Sequence, residues 1–118
     1  MERQSLYYRF ITLTWQEQLG NIASTLGTIS QQVNIPEQDQ LTIFLLREGA
    51  LMIEWCASNV PADYHLELAG LQKELLAWKD SFSETNARQL LALHTSNQRD
   101  RLLEMSGLLA KEENVAKS

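Results

Sequence analysis

The stretch WQEQLGNIASTLGTISQQV, residues 15–33, decides the fold class. Its apolar side chains alternate spacings of four and three residues, which is typical of a helix packed nearly parallel or antiparallel to a neighbour. These side chains are Trp15, Leu19, Ile22, Leu26, Ile29 and Val33. The pattern predicts one helix of a helical bundle.

The same spacing recurs farther along the chain, and the breaks between the helical stretches are short. Pro36, Pro61 and the residues 81–84, where Ser81 and Glu84 have the spacing of a capping box, separate the stretches. Four helices are predicted, over residues 5–33, 36–59, 62–80 and 84–110. Because short connections favour antiparallel neighbours, we expect an all-α, antiparallel up-down four-helix bundle. It forms a single domain over residues 1–110, followed by a short charged tail over residues 111–118.

Composition narrows the class of protein. The chain has 118 residues, 10 Lys+Arg against 15 Asp+Glu, and a net charge of -5. This length fits one compact domain, and the acidic balance makes a nucleic-acid partner unlikely. Charged residues interrupt the most apolar stretch, residues 41–60, so no membrane partner is expected. A single cysteine and the lack of a secretory signal pattern at the N-terminus predict a cytoplasmic protein.

The second predicted helix is apolar on two faces. One face contains Leu41, Phe44, Leu45, Met52 and Trp55, and the other contains Ile43, Leu46, Ala50, Ile53 and Ala57. A single bundle would expose one of them, and exposed apolar patches usually mark interfaces. We take the second face, with Leu6, Phe10 and Leu13 of the first helix, as the candidate interface for a homodimer or another protein. The alternative is a core that covers both faces.

One candidate polar cluster interrupts this apolar pattern. Glu48 falls among the apolar residues of the first face, and His94, Gln98 and Arg101 interrupt the apolar face of the last helix. A buried carboxylate needs a partner, so these four residues are predicted to form a polar layer. The layer is either a structural hydrogen-bonded network or a site for a ligand or for proton transfer.

Neither metals nor cofactors are predicted. Di-iron bundles use Glu-x-x-His motifs, and neither His65 nor His94 has a glutamate three residues before it. Glycine-rich phosphate loops are also missing. Cys56 lies on an apolar helix face, where an inert core thiol is expected.

Two short resemblances add alternatives. The segment from Arg88 to His94 resembles the Arg-x(4–6)-His pattern of HEPN domains, which are helical bundles, often dimeric, and in many cases RNases. The resemblance implies His94 in acid/base chemistry and Arg88 stabilising phosphate charge at a dimer cleft. Residues 15–26, 53–55 and 105–109 resemble short helical proteins of cyanobacteria to which no function is assigned, which implies a bacterial cytoplasmic protein.

These patterns predict a non-catalytic interaction or regulatory module that self-associates. The first alternative is an HEPN-like RNase that uses Arg88 and His94. The second is a small-ligand pocket in which Glu48 and Arg101 orient a polar group. The aromatic residues expected to line that pocket are Trp15, Phe44, Trp55 and Trp78.

Overall fold

The computed structural model describes residues 2–82 and 87–107, and every regular element in these ranges is helical. The helices are α1 (Glu2–Ile11), α2 (Trp15–Gln32), α3 (Asp39–Cys56), α4 (His65–Ser81) and α5 (Ala87–Ser106), with 3₁₀ turns at Pro36–Gln38 and Ala62–Tyr64. The predicted all-α class is confirmed. The predicted start of the last helix at residue 84 and the tail over residues 111–118 lie outside the described residues.

The prediction of one helix over residues 5–33 is wrong, because a capping box at Thr14 starts a new helix. The Thr14 hydroxyl accepts a hydrogen bond from the Glu17 N–H at 3.1 Å, and the Glu17 carboxylate accepts one from the Thr14 N–H at 2.9 Å. These bonds satisfy backbone donors that an uninterrupted helix would use internally. α1 is tied to α2 by Gln18, whose buried side-chain amide donates to the Phe10 carbonyl at 3.0 Å.

Both prolines stand where helices begin, as predicted. Pro36 is the first residue of the 3₁₀ turn that leads into α3, and Pro61 directly precedes the turn that leads into α4. The fixed φ of proline suits the first turn of a helix, and its missing N–H is not needed there.

α2 is the central helix of the fold and packs on both α3 and α5, while α3 also packs on α4. The predicted seam of α2 is buried, since Leu19, Ile22 and Leu26 are each 0% exposed. α3 and α4 are joined by Gln72, whose side chain donates to the Ala50 carbonyl at 3.0 Å. None of the helices in residues 2–82 and 87–107 is long and apolar enough to cross a bilayer.

The face of α3 that the sequence pattern assigned to an interface packs into the core. Leu46, Ala50 and Ile53 are 0%, 3% and 2% exposed. Gly49 lies on this same side, and a Cβ added to it would be 3.1 Å from Leu75 Cδ1 of α4. The missing side chain at Gly49 therefore lets α4 approach this face closely.

The predicted interface needs correction at every buried position. Leu46, Ala50 and Ile53, and also Phe10 of α1, are covered within a single chain and offer no surface to a second one. The remaining predicted interface residues are half-buried, namely Leu6, Leu13, Ile43 and Ala57. The opposite face of α3 was expected in the core, and this prediction is right only in part. Met52 is 5% exposed, and Leu45 and Trp55 pack against the core, whereas Leu41 is 37% and Phe44 52% exposed.

Candidate functional site

The strongest polar contact between α4 and α5 joins Glu67 to Arg101. Nε of Arg101 donates to Glu67 Oε2 at 2.8 Å, and Nη2 donates to Oε1 at 3.1 Å. Both side chains are 42% exposed, so water screens this pair. The hydrogen bonds to Glu67 raise the pKa of Arg101 further above its ordinary value, and the guanidinium also lies 6.0 Å from the centre of the Tyr64 ring.

A second polar contact between α4 and α5 lies farther along the two helices. Nδ1 of His94 lies 3.0 Å from Glu74 Oε1, and the His94 ring lies 6.1 Å from the ring of Trp78. Glu67 and Glu74 are seven residues apart on α4, and His94 and Arg101 are seven apart on α5. Residue numbers rise along one helix as they fall along the other, so α4 and α5 are antiparallel.

The four residues of the predicted polar cluster have different surroundings. Glu48 is 5% exposed on α3, as its position among apolar residues suggested. Gln98 is half-buried on α5. His94 and Arg101 are also half-buried. Arg101 forms an ion pair with Glu67, and His94 lies beside Glu74; neither carboxylate was among the predicted site residues. The two carboxylates have the same seven-residue spacing as His94 and Arg101, but this match identifies them only once α4 and α5 are placed side by side.

Arg88 connects the start of α5 to the junction between α2 and α3. Its Nη1 and Nη2 donate to the two Asp39 carboxylate oxygens at 2.6 and 2.9 Å, and Nη1 also donates to the Val33 carbonyl at 2.9 Å. The guanidinium lies 5.4 Å from the centre of the Phe82 ring. The hydrogen bonds from Arg88 hold the pKa of Asp39 below its ordinary value. Arg88 and His94 therefore contact different helices, although an HEPN-like site would bring their chemistry together.

The aromatic residues proposed for a ligand pocket have separate neighbours. The Trp15 ring lies 6.3 Å from the ring of Tyr64, and the Trp55 ring lies 5.2 Å from that of Tyr7. Trp78 contacts His94 on α5, as described above. The ring contacts of these three tryptophans described above are therefore with other residues and not with one another.

The described surface includes a groove between α3 and α4 and another beside α1. The first, of about 190 Å³, is lined by Arg47, Ala50, Leu51, Glu54, Gln72, Leu76 and Lys79. The other, of about 250 Å³, is lined by Leu6, Arg9, Phe10, Leu13, Asn21 and Met52. Both are smaller than the roughly 300–1,000 Å³ of typical small-molecule sites.

The outward side of α3 carries a stripe of exposed and half-exposed residues, which we call the outer stripe: Phe44, Arg47, Leu51 and Glu54. Phe44 is 52% exposed, and Leu51 is half-buried at the edge of the groove against α4. Arg47 and Glu54 are exposed, and neither forms an ion pair or side-chain hydrogen bond with the described part of the chain. The outer stripe thus combines uncovered apolar surface with two available opposite charges.

Groups suited to metal or thiol chemistry are sparse in residues 2–82 and 87–107. No three His, Cys, Asp or Glu side chains in these ranges lie close enough together to hold a metal ion. Cys56 is buried, and burial raises the pKa of its thiol to about 11. The thiol is therefore protonated and shielded at neutral pH.

Comparison of the chain with protein-family models, with curated proteins and with solved structures gives no match. The short resemblances to HEPN domains and to cyanobacterial proteins thus remain predictions from a few residues. A function can be proposed on the contacts described above.

Proposed function

We propose that the protein is a non-catalytic helical interaction module that self-associates through the outer stripe of α3. The exposure of Phe44, at 52%, is the observation that carries this proposal. Leu41 is exposed one turn before Phe44, and Leu51 borders a groove two turns after it. Scattered apolar residues are normal on a protein surface, but neighbouring exposed ones on one helix, such as Leu41 and Phe44, favour an interface.

The polar side chains support a role without catalysis. Arg88 forms two hydrogen bonds with Asp39, and His94 is paired with Glu74. A general base or a phosphate-binding arginine has to be available to a substrate, whereas these groups already link helices to each other. Their contacts explain them as parts of the scaffold.

The scaffold of this module is proposed to be an antiparallel up-down bundle of α2, α3, α4 and α5. Packing of α2 on α3 and α5, packing of α3 on α4, and the two polar contacts between α4 and α5 support this arrangement. A double-mutant cycle with Glu67→Gln and Arg101→Gln tests the contact between α4 and α5. A coupling of a few tenths of a kcal/mol is expected for this exposed pair. A favourable coupling would support contact between these two side chains in solution, and an unfavourable one would argue against it.

Self-association is tested by light scattering over a range of protein concentrations. The wild type should change from monomer to dimer as its concentration rises, and Phe44→Asp should remain a folded monomer because a charge replaces the most exposed apolar side chain of the outer stripe. Leu93→Asp is the matched control, since Leu93 is 58% exposed on α5, away from the outer stripe. It should dimerise like the wild type. A wild type that stays monomeric, or a Phe44→Asp variant that dimerises equally well, would contradict the proposal.

A further inference from the structure

We infer that a second copy of this chain docks on α3 in the antiparallel orientation, with Leu51 at the two-fold axis and Arg47 paired with the partner's Glu54. This inference rests on the proposed self-association and adds to it a register and a pair of charges. The spacing of the outer stripe, its symmetry and its available charges each support it.

The outer stripe has the spacing of a helix–helix seam. Phe44, Arg47, Leu51 and Glu54 follow one another at intervals of three, four and three residues. At about 100° per residue, the four side chains stay within about 80° of one another around the helix. Intervals that alternate between three and four are what two helices need to pack side by side over several turns.

Symmetry relates the two charged positions. In a two-fold dimer, residue i of one copy contacts residue j of the other, and j contacts i. Arg47 lies four residues before Leu51 and Glu54 three residues after it, so an antiparallel pair centred on Leu51 brings each Arg47 opposite the partner's Glu54. The mismatch of one residue is about 1.5 Å along the axis, which these long side chains can span.

The two ends of the outer stripe are also complementary in size. Phe44 lies seven residues before Leu51, and the position seven residues after it is Ser58, which is exposed. The partner's Ser58 is small, so it leaves room for the Phe44 ring. A parallel pair would instead place Arg47 beside the partner's Arg47 and Glu54 beside the partner's Glu54, and like charges at such positions are destabilising.

The charges are available for such a pairing. Arg47 and Glu54 are seven residues apart, which is beyond the three- or four-residue spacing needed for a pair within one helix. The groove that both residues line also has Lys79 of α4 at its edge. Two cations, Arg47 and Lys79, therefore border the groove that would receive the partner's Glu54.

Charge reversal in two variants tests the register. Arg47→Glu and Glu54→Arg each place like charges in both reciprocal contacts of a homodimer, so each should dimerise roughly 10- to 100-fold more weakly than the wild type. An equimolar mixture of the two variants should regain wild-type dimerisation, because the mixed dimer has an attractive pair in both contacts. Native mass spectrometry would identify the mixed species by mass.

Lys73→Glu and Asp80→Arg are the matched controls. Both side chains are exposed on α4 outside the outer stripe, and these substitutions reproduce the same changes in net charge. Each control should dimerise about as well as the wild type. Circular dichroism checks that all four variants are folded.

A second measurement does not depend on charge. Leu51→Cys places two thiols beside the two-fold axis, so mild oxidation of the dimer should cross-link the chains, while Leu93→Cys on α5 should not cross-link. The native Cys56 is buried and does not compete. Suppose the wild type dimerises, but mixing does not rescue the charge variants or Leu51→Cys does not cross-link. Either result would overturn the proposed register and leave the proposed self-association standing. A monomeric wild type would overturn both.

Discussion

Leu46→Ala, compared with Leu41→Ala, tests which face of α3 points into the core. Leu46 is 0% exposed, and truncating a leucine at such a site leaves a cavity that typically costs about 2–5 kcal/mol. Leu41 is 37% exposed on the opposite side of the same helix, so the same substitution there should cost about 1 kcal/mol or less. The two substitutions remove identical atoms, so the difference between them measures burial.

The free energy of unfolding of both variants is measured by urea denaturation followed by circular dichroism. Dilute protein is needed because association of the folded chain would add to its apparent stability. Leu46→Ala should lower the urea midpoint far more than Leu41→Ala, with the slope of the transition unchanged. Equal costs, or a larger cost for Leu41→Ala, would refute the orientation of α3.

Three further predictions follow from single contacts. Gly49→Ala should lower the free energy of unfolding by about 1 kcal/mol, because the new methyl group would crowd Leu75 of α4. Gly70→Ala places its methyl group in open space and should raise the free energy of unfolding by up to about 1 kcal/mol. Thermal melts that show the reverse order of stability would contradict this prediction. Arg88 lowers the pKa of Asp39, so the wild type should be more stable than Asp39→Asn. This difference in the free energy of unfolding should be complete above the ordinary pKa of 3.8 and should decline as the pH falls below it. A difference that does not change with pH in urea titrations would argue against the pairing. Cys56 should react with a thiol reagent only after urea unfolds the protein, and rapid labelling of the native protein at pH 7 would show that the thiol is not buried.

The helices of the fold were accessible from local patterns, but the boundary between α1 and α2 was not recognised. Phe10 and Leu13 lie at angles that the apolar seam from Trp15 onward does not use, and this change of phase was assigned to a second face of one helix rather than to a break. Thr14 and Glu17, three residues apart, do have the spacing of a capping box. The hydrogen bonds of that capping box determine the boundary between α1 and α2, and the spacing of apolar residues does not reveal them.

The polar contacts were only partly predictable because each depends on two helices. His94 and Arg101 stood out as polar interruptions of an apolar face, yet their partners Glu67 and Glu74 look like ordinary exposed residues of α4. Only the relative position of α4 and α5 makes the two seven-residue spacings coincide. Arg88 and Asp39 are 49 residues apart in the chain, and no local pattern connects them.

The orientation of α3 shows how two apolar faces of one helix can differ in role. The inward face carries the small residues Gly49 and Ala50, and helices approach each other most closely where side chains are small. The outward face carries the bulky Phe44 and, farther along the helix, the exposed charges of Arg47 and Glu54. Exposed charges keep this face compatible with water in the monomer. Because those charges are opposite and nearly equidistant from Leu51, the same face is complementary to itself in an antiparallel pair, which is the property that the charge-reversal mixture measures.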